Sequence, residues 1–396
     1  MVKERVLIVG GGFAGVKAAL ELCHDDRFAV TLLTDDPELR YYPTLYHSAT
    51  GGKRANSSIP LATIFEGKDI KVALGTAKKL IRKDKTVTTG QGIAFEYDKL
   101  ILALGVVTNY FGISGLEEYS YSIKTQAEAE RFKKHLHRQL EDEHKPDLHY
   151  VVVGAGPTGI ELAGALPDYL RCIMKNHGIE HRAIHVDLIE AAPRLLPRMP
   201  KDTSRAVRKR LRKLGIRLYL NSTVQGETAD KLMVSGKPIR SHTVVWTAGV
   251  TNHPFFKDNG FVLTGRGKVA TDIYLQAEPD IYVLGDNANT PYSGMAQTAL
   301  GDGKFVARNL KRHHSGWRLR SYEAKPPVTV LPCGPHWSAV VWGHLRLYGR
   351  IGWFMREAAD MKGFRALESW RRATRQWYSE FTRDDVCETC AASKDL

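Results

Sequence analysis

The amino-acid sequence predicts an α/β fold with two Rossmann-like domains, followed by an amphipathic C-terminal region. Residues 6–22 and residues 148–162 each join an apolar, β-branched strand to a glycine-containing turn and then to a helix. One copy of this unit is a weak signal, but two copies in one chain are far more specific. Beyond residue 350, basic residues lie between aromatic residues at mostly helical spacing, which indicates the amphipathic region.

The composition is that of a globular protein with two or three domains. The 396 residues are 43% hydrophobic and 25% charged, and the net charge of +14 indicates an acidic partner or surface. Nucleic acid, anionic lipid and anionic cofactors are the candidates. No apolar run reaches the roughly eighteen residues needed to cross a bilayer, and the first strand begins too close to Met1 for a signal peptide. We therefore expect synthesis in the cytosol and only peripheral contact with a membrane.

The first glycine turn has the residues that a dinucleotide pyrophosphate requires. Gly10 permits a tight turn, Gly12 lets the backbone approach the anion, and Gly15 lets the helix pack against the strand. The positive N-terminus of the helix would face the phosphates. An ordinary tight turn between a strand and a helix is the alternative. After the next strand, Thr34 occupies the position of the usual ribose-binding acid, so Asp35 either reaches the adenosine ribose or belongs to a solvated turn.

The second glycine turn is followed by a better ribose ligand. The strand formed by residues 186–190 ends on Glu190, which can accept hydrogen bonds from both ribose hydroxyls and would repel a 2′-phosphate. This domain should therefore favour NADH over NADPH, although Glu190 could also be a plain surface carboxylate. Farther along, Ala248 and Gly249 follow another apolar strand, and such small residues let a flat ring approach the backbone.

The C-terminal region combines tryptophan and arginine in a way that suits a lipid headgroup layer. The sequence alone leaves two alternatives open, namely a helix packed on its own core and a helix packed on a dimer partner. The apolar positions are Phe354, Met361, Phe364, Leu367, Trp370, Trp377 and Phe381, and the basic residues between them are Lys362, Arg365, Arg371, Arg372 and Arg375.

Taken together, these motifs resemble those of a known family. The paired glycine turns, residues 103–105 followed by Asn109, the strand end Gly285–Asp286 and the helix start Ala296–Gln297 resemble the type II NADH:quinone oxidoreductases. These are single-subunit, non-pumping NADH dehydrogenases among the flavoproteins with two dinucleotide domains. The similarity runs from Val6 to about Arg365. It implies the cofactors FAD and NADH, a quinone acceptor, and peripheral attachment to the cytoplasmic face of the cell membrane through the C-terminal region, and it leaves a homodimer open.

The resemblance also assigns domains. It implies an FAD-binding domain in two parts, residues 1–115 and 250–325, an NADH-binding domain at residues 116–249, and a C-terminal region of strands and a basic amphipathic helix at residues 326–396.

Site residues follow from the same resemblance. Asp286 would bind the flavin ribityl or phosphate region, Pro43 would lie beside the isoalloxazine ring, and Ala248 and Gly249 would lie near the nicotinamide. The implied FAD residues are Gly10, Gly12, Phe13, Ala14, Gly15, Asp35, Pro43, Ala103, Gly105, Asp286, Ala296 and Gln297. The implied NADH residues are Gly156, Thr158, Gly159, Glu190, Ala248 and Gly249.

One further residue and one departure bear on the electron acceptor. Glu161 matches a carboxylate that the family places near the flavin, so it is a candidate for proton or quinone handling, with a salt bridge on the helix face as the alternative. The family also carries a glutamine pair in the helix that begins near residue 296. This chain has Gly301 and Asp302 there, which leaves the quinone site and the identity of the acceptor open.

Three rival functions make different demands on the sequence. A disulfide reductase needs a redox pair after the first domain unit, but no cysteine occurs between Thr34 and Leu100. A sulfide:quinone oxidoreductase needs cysteines that face the flavin from separate domains. Cys333 is a candidate, whereas nothing in the sequence places Cys172, in a helix well past the second glycine turn, at the flavin. A basic lipid- or nucleic-acid-binding protein on a cofactor scaffold would explain the charge, but no nucleic-acid signature occurs and no nucleic-acid partner is expected. The pair Cys387 and Cys390 has no second pair, so we expect a reduced tail and no metal site.

Overall fold

Two parallel β-sheets organise the fold. The computed structural model describes residues 2–141, 147–179 and 182–379. The phenylalanine at position 381 and the two cysteines at positions 387 and 390, which figure in the sequence predictions, lie outside these residues.

Residues 2–115 contain ten strands and three α-helices. The strands are β1 (Glu4–Val9), β2 (Phe28–Thr34), β3 (Glu38–Arg40), β4 (Ser58–Pro60), β5 (Ile70–Leu74), β6 (Ala77–Ile81), β7 (Thr86–Thr89), β8 (Ala94–Glu96), β9 (Lys99–Leu102) and β10 (Val106–Thr108). The helices are α1 (Phe13–Leu22), α2 (Leu45–Ser48) and α3 (Leu61–Ile64).

The middle of the chain repeats the strand and helix pattern. Its helices are α4 (Leu116–Tyr119), α5 (Gln126–Glu141), α6 (Pro157–Asn176) and α7 (Lys201–Lys213). Its strands are β11 (His149–Val153), β12 (His185–Ile189), β13 (Arg217–Tyr219), β14 (Val224–Thr228), β15 (Lys231–Val234), β16 (Lys237–Arg240), β17 (Thr243–Trp246) and β18 (Val250–Asn252).

The last part returns to the first sheet and then adds a separate three-stranded antiparallel sheet and helices. Its strands are β19 (Gln276–Glu278), β20 (Ile281–Val283), β21 (Thr329–Pro332), β22 (Ser338–Trp342) and β23 (Leu345–Gly349). Its helices are α8 (Pro254–Asp258), α9 (Ala296–His314), α10 (Arg350–Arg365) and α11 (Trp370–Ser379).

The first sheet joins the two ends of the Rossmann-like part of the chain. Its strand order is β19-β20-β9-β1-β2-β5, and every neighbouring pair except the antiparallel edge pair β19 and β20 is parallel. Strand β1 is central, and its residues from Val6 to Val9 are buried on both faces, as the continuous apolar run requires. The carboxyl ends of β1 and β9 therefore meet at one edge of this sheet.

The second sheet lies between these two ends in the sequence. Its order is β13-β12-β11-β17, and all three pairings are parallel. The chain leaves the first sheet through β10 and comes back through β18, and these two strands pair with each other antiparallel. The crossing between the two units is therefore a two-stranded ribbon.

The C-terminal apolar residues do not form one exposed face. Phe364 and Leu367 are almost fully buried in the core of the first sheet, and the Phe364 ring stacks on Tyr41 with ring centroids 4.4 Å apart. Gly363 permits this approach because a Cβ atom there would overlap the Tyr41 hydroxyl. For these two residues the expectation of a membrane-facing surface is wrong: helical periodicity identifies a buried face, but it does not say whether lipid or the protein's own core covers that face.

Part of the C-terminal apolar surface is exposed. Ile351 and Phe354 are 63% and 65% exposed, and they lie three residues apart on the same face of α10. Farther along this face, Lys362 and Arg365 are exposed, and the Arg365 guanidinium lies 4.4 Å from the centre of the Trp370 ring. We call Ile351, Phe354, Lys362 and Arg365 the outer stripe of α10. Within the described residues, no helix is both long enough and apolar enough to cross a membrane.

Candidate active site

The first glycine turn leaves a space shaped for an anion at the N-terminus of α1. Gly10 has a φ of +115°, and a Cβ atom there would overlap the carbonyl oxygen of Ala103 at the end of β9. A Cβ atom on Gly15 would overlap the carbonyl oxygen of Gly10. Gly12, in contrast, has open space beside it and no side chain caps the helix that it begins. The first backbone N–H groups of α1, from Phe13 onward, are thus oriented for a pyrophosphate.

Two later segments close around this turn. Gly285, with a φ of +63°, lies where a Cβ atom would contact Ala14 and Ala299, so the strand end, α1 and α9 converge there. Asp286 follows, and its Oδ1 accepts a hydrogen bond of 2.9 Å from the Gly294 amide. Lys268 donates to the Asp286 carbonyl oxygen.

Asn287 joins segments that are far apart in the sequence, because its side chain hydrogen-bonds to both Gly105 and Asn252. Its side-chain oxygen accepts from the Gly105 amide at 2.8 Å, and its amide nitrogen donates to the Gly105 carbonyl oxygen at 2.6 Å. The same nitrogen donates to Asn252 at the end of β18 at 2.6 Å. Sequence reasoning missed Asn287, although its position directly after Gly285 and Asp286 was a signal that could have found it.

The acid predicted at the end of β2 is only loosely held. Thr34 is buried, and a Cβ atom on Gly11 would lie 2.6 Å from its hydroxyl oxygen, so Thr34 packs directly beneath the glycine turn. The Asp35 side chain is 60% exposed and lies 3.8 Å from the Arg40 guanidinium. Asp35 is therefore at the predicted place but on the solvent side of the strand end.

The second glycine turn repeats the geometry of the first. Gly154 has a φ of +102°, and a Cβ atom there would lie 2.6 Å from the Cα atom of Ala248. A Cβ atom on Gly159 would overlap the Gly154 carbonyl oxygen, whereas Gly156 faces open space at the uncapped start of α6. Thr158 lies in the first turn of that helix. This turn therefore also fits a pyrophosphate.

Glu190 is tied to the second turn through both carboxylate oxygens. One oxygen accepts from the Ala155 amide at 2.7 Å, and the other accepts from the Ala192 amide at 2.8 Å. The acid at the end of β12 is thus fixed beside the glycine turn, while each of its oxygens retains capacity for a second donor. At the end of β17, a Cβ atom on Gly249 would lie 2.5 Å from the Phe111 ring, so this glycine allows the close packing of residues 109–112.

A buried ionic cluster lies beside the proline turn of the first domain. Pro43 belongs to a short 3₁₀ turn, and its carbonyl oxygen accepts a hydrogen bond of 2.7 Å from Arg356 of α10. Arg356 Nε lies 2.5 Å from Asp360 Oδ2, and the Tyr41 hydroxyl donates to Asp360 Oδ1 at 3.5 Å. Burial raises the pKa of Asp360, and the charge of Arg356 opposes that shift.

Glu161 joins this cluster from α6. Burial raises the pKa of its carboxyl group to about 8, while the positive charge of Arg356 acts in the opposite direction and the negative charge of Asp360 adds to the shift. Glu161 is therefore largely protonated at neutral pH. The sequence singled out Glu161 but missed Arg356 and Asp360, because nothing in their local pattern distinguishes them from surface residues of an amphipathic helix.

A cavity of about 320 Å³ opens next to the cluster. The proline turn, α6, the β21–β22 connection and α10 surround it. Its lining includes Thr44, Tyr46, His47, Asp168, His336, Trp353, Arg356 and Asp360. The volume is near the lower end of the range for small-molecule sites, roughly 300–1,000 Å³.

Asp302 and Gly301, which stand in α9 where the family has its glutamine pair, have different surroundings. Asp302 is fully buried and accepts hydrogen bonds from the Gly285 amide at 3.0 Å and the Tyr322 hydroxyl at 2.6 Å, so it supports the Gly285 turn from within the core. Gly301 is exposed, and a Cβ atom there would meet nothing within 4 Å. Ala296 begins the helix, and Gln297 accepts a bond of 3.0 Å from the Val328 amide.

The described cysteines do not form a reactive pair. Cys23 and Cys333 are free thiols, and burial raises the pKa of Cys333 to about 12. A thiol with so high a pKa stays protonated and is a poor nucleophile at neutral pH. Thiol chemistry at Cys333 is therefore disfavoured.

Two glycine turns on two parallel sheets, joined by an antiparallel ribbon, define an oxidoreductase fold of the kind that binds two dinucleotides. The chain belongs to the pyridine nucleotide-disulphide oxidoreductase family, whose model matches residues 4–303.

Within this family, the chain is similar to curated proteins named type II NADH:quinone oxidoreductases. A type II NADH:quinone oxidoreductase of Staphylococcus saprophyticus is 26% identical over 388 residues, covering 91% of this chain and 95% of that protein. One from Staphylococcus aureus is 25% identical over 384 residues, with the same coverage of both chains. These findings confirm the predicted fold class, the predicted resemblance and the predicted oxidoreductase class. They also agree with FAD and NADH as the predicted cofactors.

Solved structures share the whole architecture. NDH2 of Plasmodium falciparum, solved in complex with NADH, matches with a TM-score of 0.86 at 18% identity over 96% of this chain and 98% of that chain. The sulfide:quinone oxidoreductase of Aquifex aeolicus matches with a TM-score of 0.75 at 20% identity over 90% of this chain and 89% of that chain. The fold is therefore common to enzymes with different electron donors.

Proposed function

We propose that this protein oxidises NADH through a bound FAD and passes the electrons to a quinone at a membrane surface, without pumping protons. When bound, FAD supplies the chemistry by accepting a hydride from NADH and releasing two electrons to the acceptor. The observation that carries the proposal is the pair of open, uncapped glycine turns at Gly12 and Gly156, one on each parallel sheet. The relatives named above carry this activity in their names.

The chain's part is to hold the two dinucleotides and to exclude water. We assign FAD to the first turn, where the N-terminus of α1 would hold the pyrophosphate and Asp286 and Pro43 would line the flavin end. We assign NADH to the second turn, where Glu190 would accept from the ribose hydroxyls. On this assignment residues 1–115 and 250–325 form the FAD domain and residues 116–249 form the NADH domain.

The cavity between the proline turn and α10 is the proposed acceptor site. It adjoins Pro43 through Arg356, which donates to the Pro43 carbonyl oxygen, and its lining carries aromatic rings from Tyr46 and Trp353. Aromatic walls suit a flat quinone ring. Glu161 would hold a proton near this site, because its raised pKa keeps it protonated at neutral pH.

The acceptor is tested by steady-state NADH oxidation with a short-chain ubiquinone, a menaquinone and ferricyanide. We expect turnover with at least one quinone and with ferricyanide. A second variant is Gly301→Gln, which places the first glutamine of the family's pair at a position where a Cβ atom meets nothing within 4 Å. If every quinone is inactive with the unaltered chain while ferricyanide is reduced, the quinone part of the proposal is wrong.

Peripheral attachment to the cytoplasmic face of the cell membrane is proposed for the outer stripe of α10. Its apolar residues, Ile351 and Phe354, are exposed beside basic residues that would meet anionic headgroups. We expect the double variant Ile351→Gln, Phe354→Gln to bind vesicles containing phosphatidylglycerol about tenfold more weakly than the unaltered chain.

The matched control is Val262→Gln, Ile273→Gln, because these two residues are also exposed and apolar but lie in the segment before β19. Sedimentation with vesicles measures the bound fraction. Equal weakening by both double variants would mean that any exposed apolar residue contributes, and the assignment to α10 would then be wrong.

A further inference from the structure

Helix α10 has a buried face on the side opposite its outer stripe. Arg356, Asp360, Gly363 and Phe364 follow one another along the helix at spacings of three or four residues, so they share one side of it. Arg356, Asp360 and Phe364 are buried, whereas the outer stripe is exposed. We call these four residues the inner face of α10. The inner face is turned toward the first domain.

Arg356 on the inner face holds the proline turn by its backbone. One terminal guanidinium nitrogen donates to the Pro43 carbonyl oxygen at 2.7 Å, while Nε lies 2.5 Å from Asp360 Oδ2. Proline has no backbone N–H, so the carbonyl is the only backbone hydrogen-bonding group that Pro43 offers. The planar guanidinium can serve both partners at fixed angles, which a lysine ammonium could not. Arg356 therefore sets the position of the proline turn relative to α10.

A column of three rings links the inner face to the first turn of α1. The Phe364 ring stacks on Tyr41 with centroids 4.4 Å apart, and the Tyr41 ring meets Phe13 in an edge contact with centroids 5.5 Å apart. All three rings are buried. Phe13 begins α1, and its backbone N–H is the first of those that we assign to the pyrophosphate. Helix α10 thus supports the start of α1 as well as the proline turn.

Stability alone does not account for the ion pair on the inner face. A buried ion pair is often no more stabilising than apolar side chains of similar size, because the cost of taking both charges out of water offsets their attraction. Apolar residues at these two positions would fill the same space, but they could not donate to Pro43. The pair adds a donor that is aimed at one backbone atom of the proline turn.

Resting on the proposed function, we propose that α10 is part of the FAD site and that Arg356 and Tyr41 are positioning residues for this cofactor. Arg356 sets the proline turn that we place beside the isoalloxazine ring, and Tyr41 sets the helix start that we place at the pyrophosphate. Neither residue needs to touch FAD for this role. The C-terminal region then has two tasks, because its inner face supports FAD binding while its outer stripe contacts lipid.

The first variant removes the ion pair as a whole. Arg356→Met, Asp360→Leu leaves no unpaired buried charge, so the unfolding midpoint of the full chain without FAD should change little. Its affinity for FAD should fall by about tenfold, because the proline turn loses a charge-assisted hydrogen bond. Dilution of the holoenzyme measures that affinity through the fluorescence of released FAD. The rise in unfolding midpoint that added FAD produces should shrink as well.

The second variant displaces the helix without altering a charge. A methyl group in Gly363→Ala would overlap the Tyr41 hydroxyl, so α10 and the Tyr41 ring must separate. We expect FAD affinity to fall by about tenfold or more. The double variant Tyr41→Phe, Gly363→Ala should recover most of this loss relative to Tyr41→Phe alone, because the overlapping oxygen is gone and the nearest remaining ring atom lies 3.1 Å from the new methyl group.

Arg372→Gln is the matched control. Arg372 also joins a C-terminal helix to a backbone carbonyl of the first domain, because it donates from α11 to the Thr63 carbonyl oxygen at 2.8 Å and pairs with Glu66. These partners lie in α3 and two residues beyond it, and not in the proline turn. Its replacement should leave FAD affinity and the absorbance spectrum of the bound flavin unchanged.

Three results would overturn the inference. They are unchanged FAD affinity in the ion-pair variant, an equal loss of affinity in Arg372→Gln, and a lower unfolding midpoint without FAD that is accompanied by an unchanged rise when FAD is added. The last result would mean that the inner face stabilises the fold and does not position the cofactor. If Gly363→Ala does not fold, the ion-pair variant still decides. An unaltered chain that binds no FAD would instead contradict the proposed function, so the two failures are distinguishable.

Discussion

Replacement of Gly10 by alanine is expected to give a protein without bound flavin and without NADH oxidation. Gly10 has a φ of +115°, and a Cβ atom there would overlap the Ala103 carbonyl oxygen, so either the turn or β9 must move. Such a backbone change costs on the order of 3 kcal/mol and disrupts the site in which we place the pyrophosphate. Flavin absorbance per protein after purification and thermal unfolding midpoints measure the two effects.

Replacement of Gly12 is expected to weaken FAD binding without changing the stability of the fold. A Cβ atom on Gly12 would meet nothing within 4 Å, so Gly12→Ala should leave the unfolding midpoint of flavin-free protein unchanged. It should still lower FAD affinity by about tenfold or more, because the added methyl group occupies the space proposed for the pyrophosphate. Gly265→Ala is the control, since it also faces open space but lies in the segment between α8 and β19. Full flavin content in Gly12→Ala would contradict the FAD assignment of this turn.

Glu190→Gln is expected to reduce the preference for NADH over NADPH. The neutral amide removes the charge that would repel a 2′-phosphate and weakens the bond to the ribose hydroxyls, while it keeps an oxygen for one of the two backbone donors, Ala155 or Ala192. We expect the ratio of kcat/KM for NADH to that for NADPH to fall by about 10- to 100-fold. Steady-state rates with ferricyanide measure it without involving the quinone site.

Asp35→Asn is the matched control for Glu190. Asp35 follows the equivalent strand of the first domain, and its side chain is mostly exposed. On our assignment it lies at the FAD site, so its replacement should leave the nucleotide preference unchanged. An altered nucleotide preference in Asp35→Asn would contradict the assignment of FAD to the first turn. An unaltered preference in Glu190→Gln would contradict the assignment of NADH to the second turn.

The sequence predicts the parts of the fold that depend on local pattern. The glycine turns, the strands that precede them and the acid at Glu190 follow from spacing, because a tight turn and a close helix approach permit only glycine at a few positions. The same reasoning placed Asp286 at a strand end, and the structure has it in the short 3₁₀ turn Gly285–Asn287 that follows β20.

The parts that depend on distant contacts could not be predicted in this way. Phe364 was expected at a lipid surface because its helix is amphipathic, but it packs on Tyr41, more than 300 residues earlier in the chain. Asp302 stands where the family has one glutamine of its pair, which left the acceptor open, and only the structure shows that it binds Gly285 and Tyr322 from within the core. Glu161 was found by its motif, whereas Asp360, its partner in the cluster, becomes visible only when α10 packs against the proline turn.

The central claim is that electrons pass from NADH through a flavin held by this chain to a quinone. Anaerobic rapid mixing of the purified holoenzyme with NADH, followed by a second mixing with quinone, tests it most directly. We predict a yellow protein whose flavin absorbance is bleached by one equivalent of NADH and returns when quinone is added. A colourless protein, a flavin that NADH does not bleach, or a bleached flavin that quinone does not reoxidise would contradict the account.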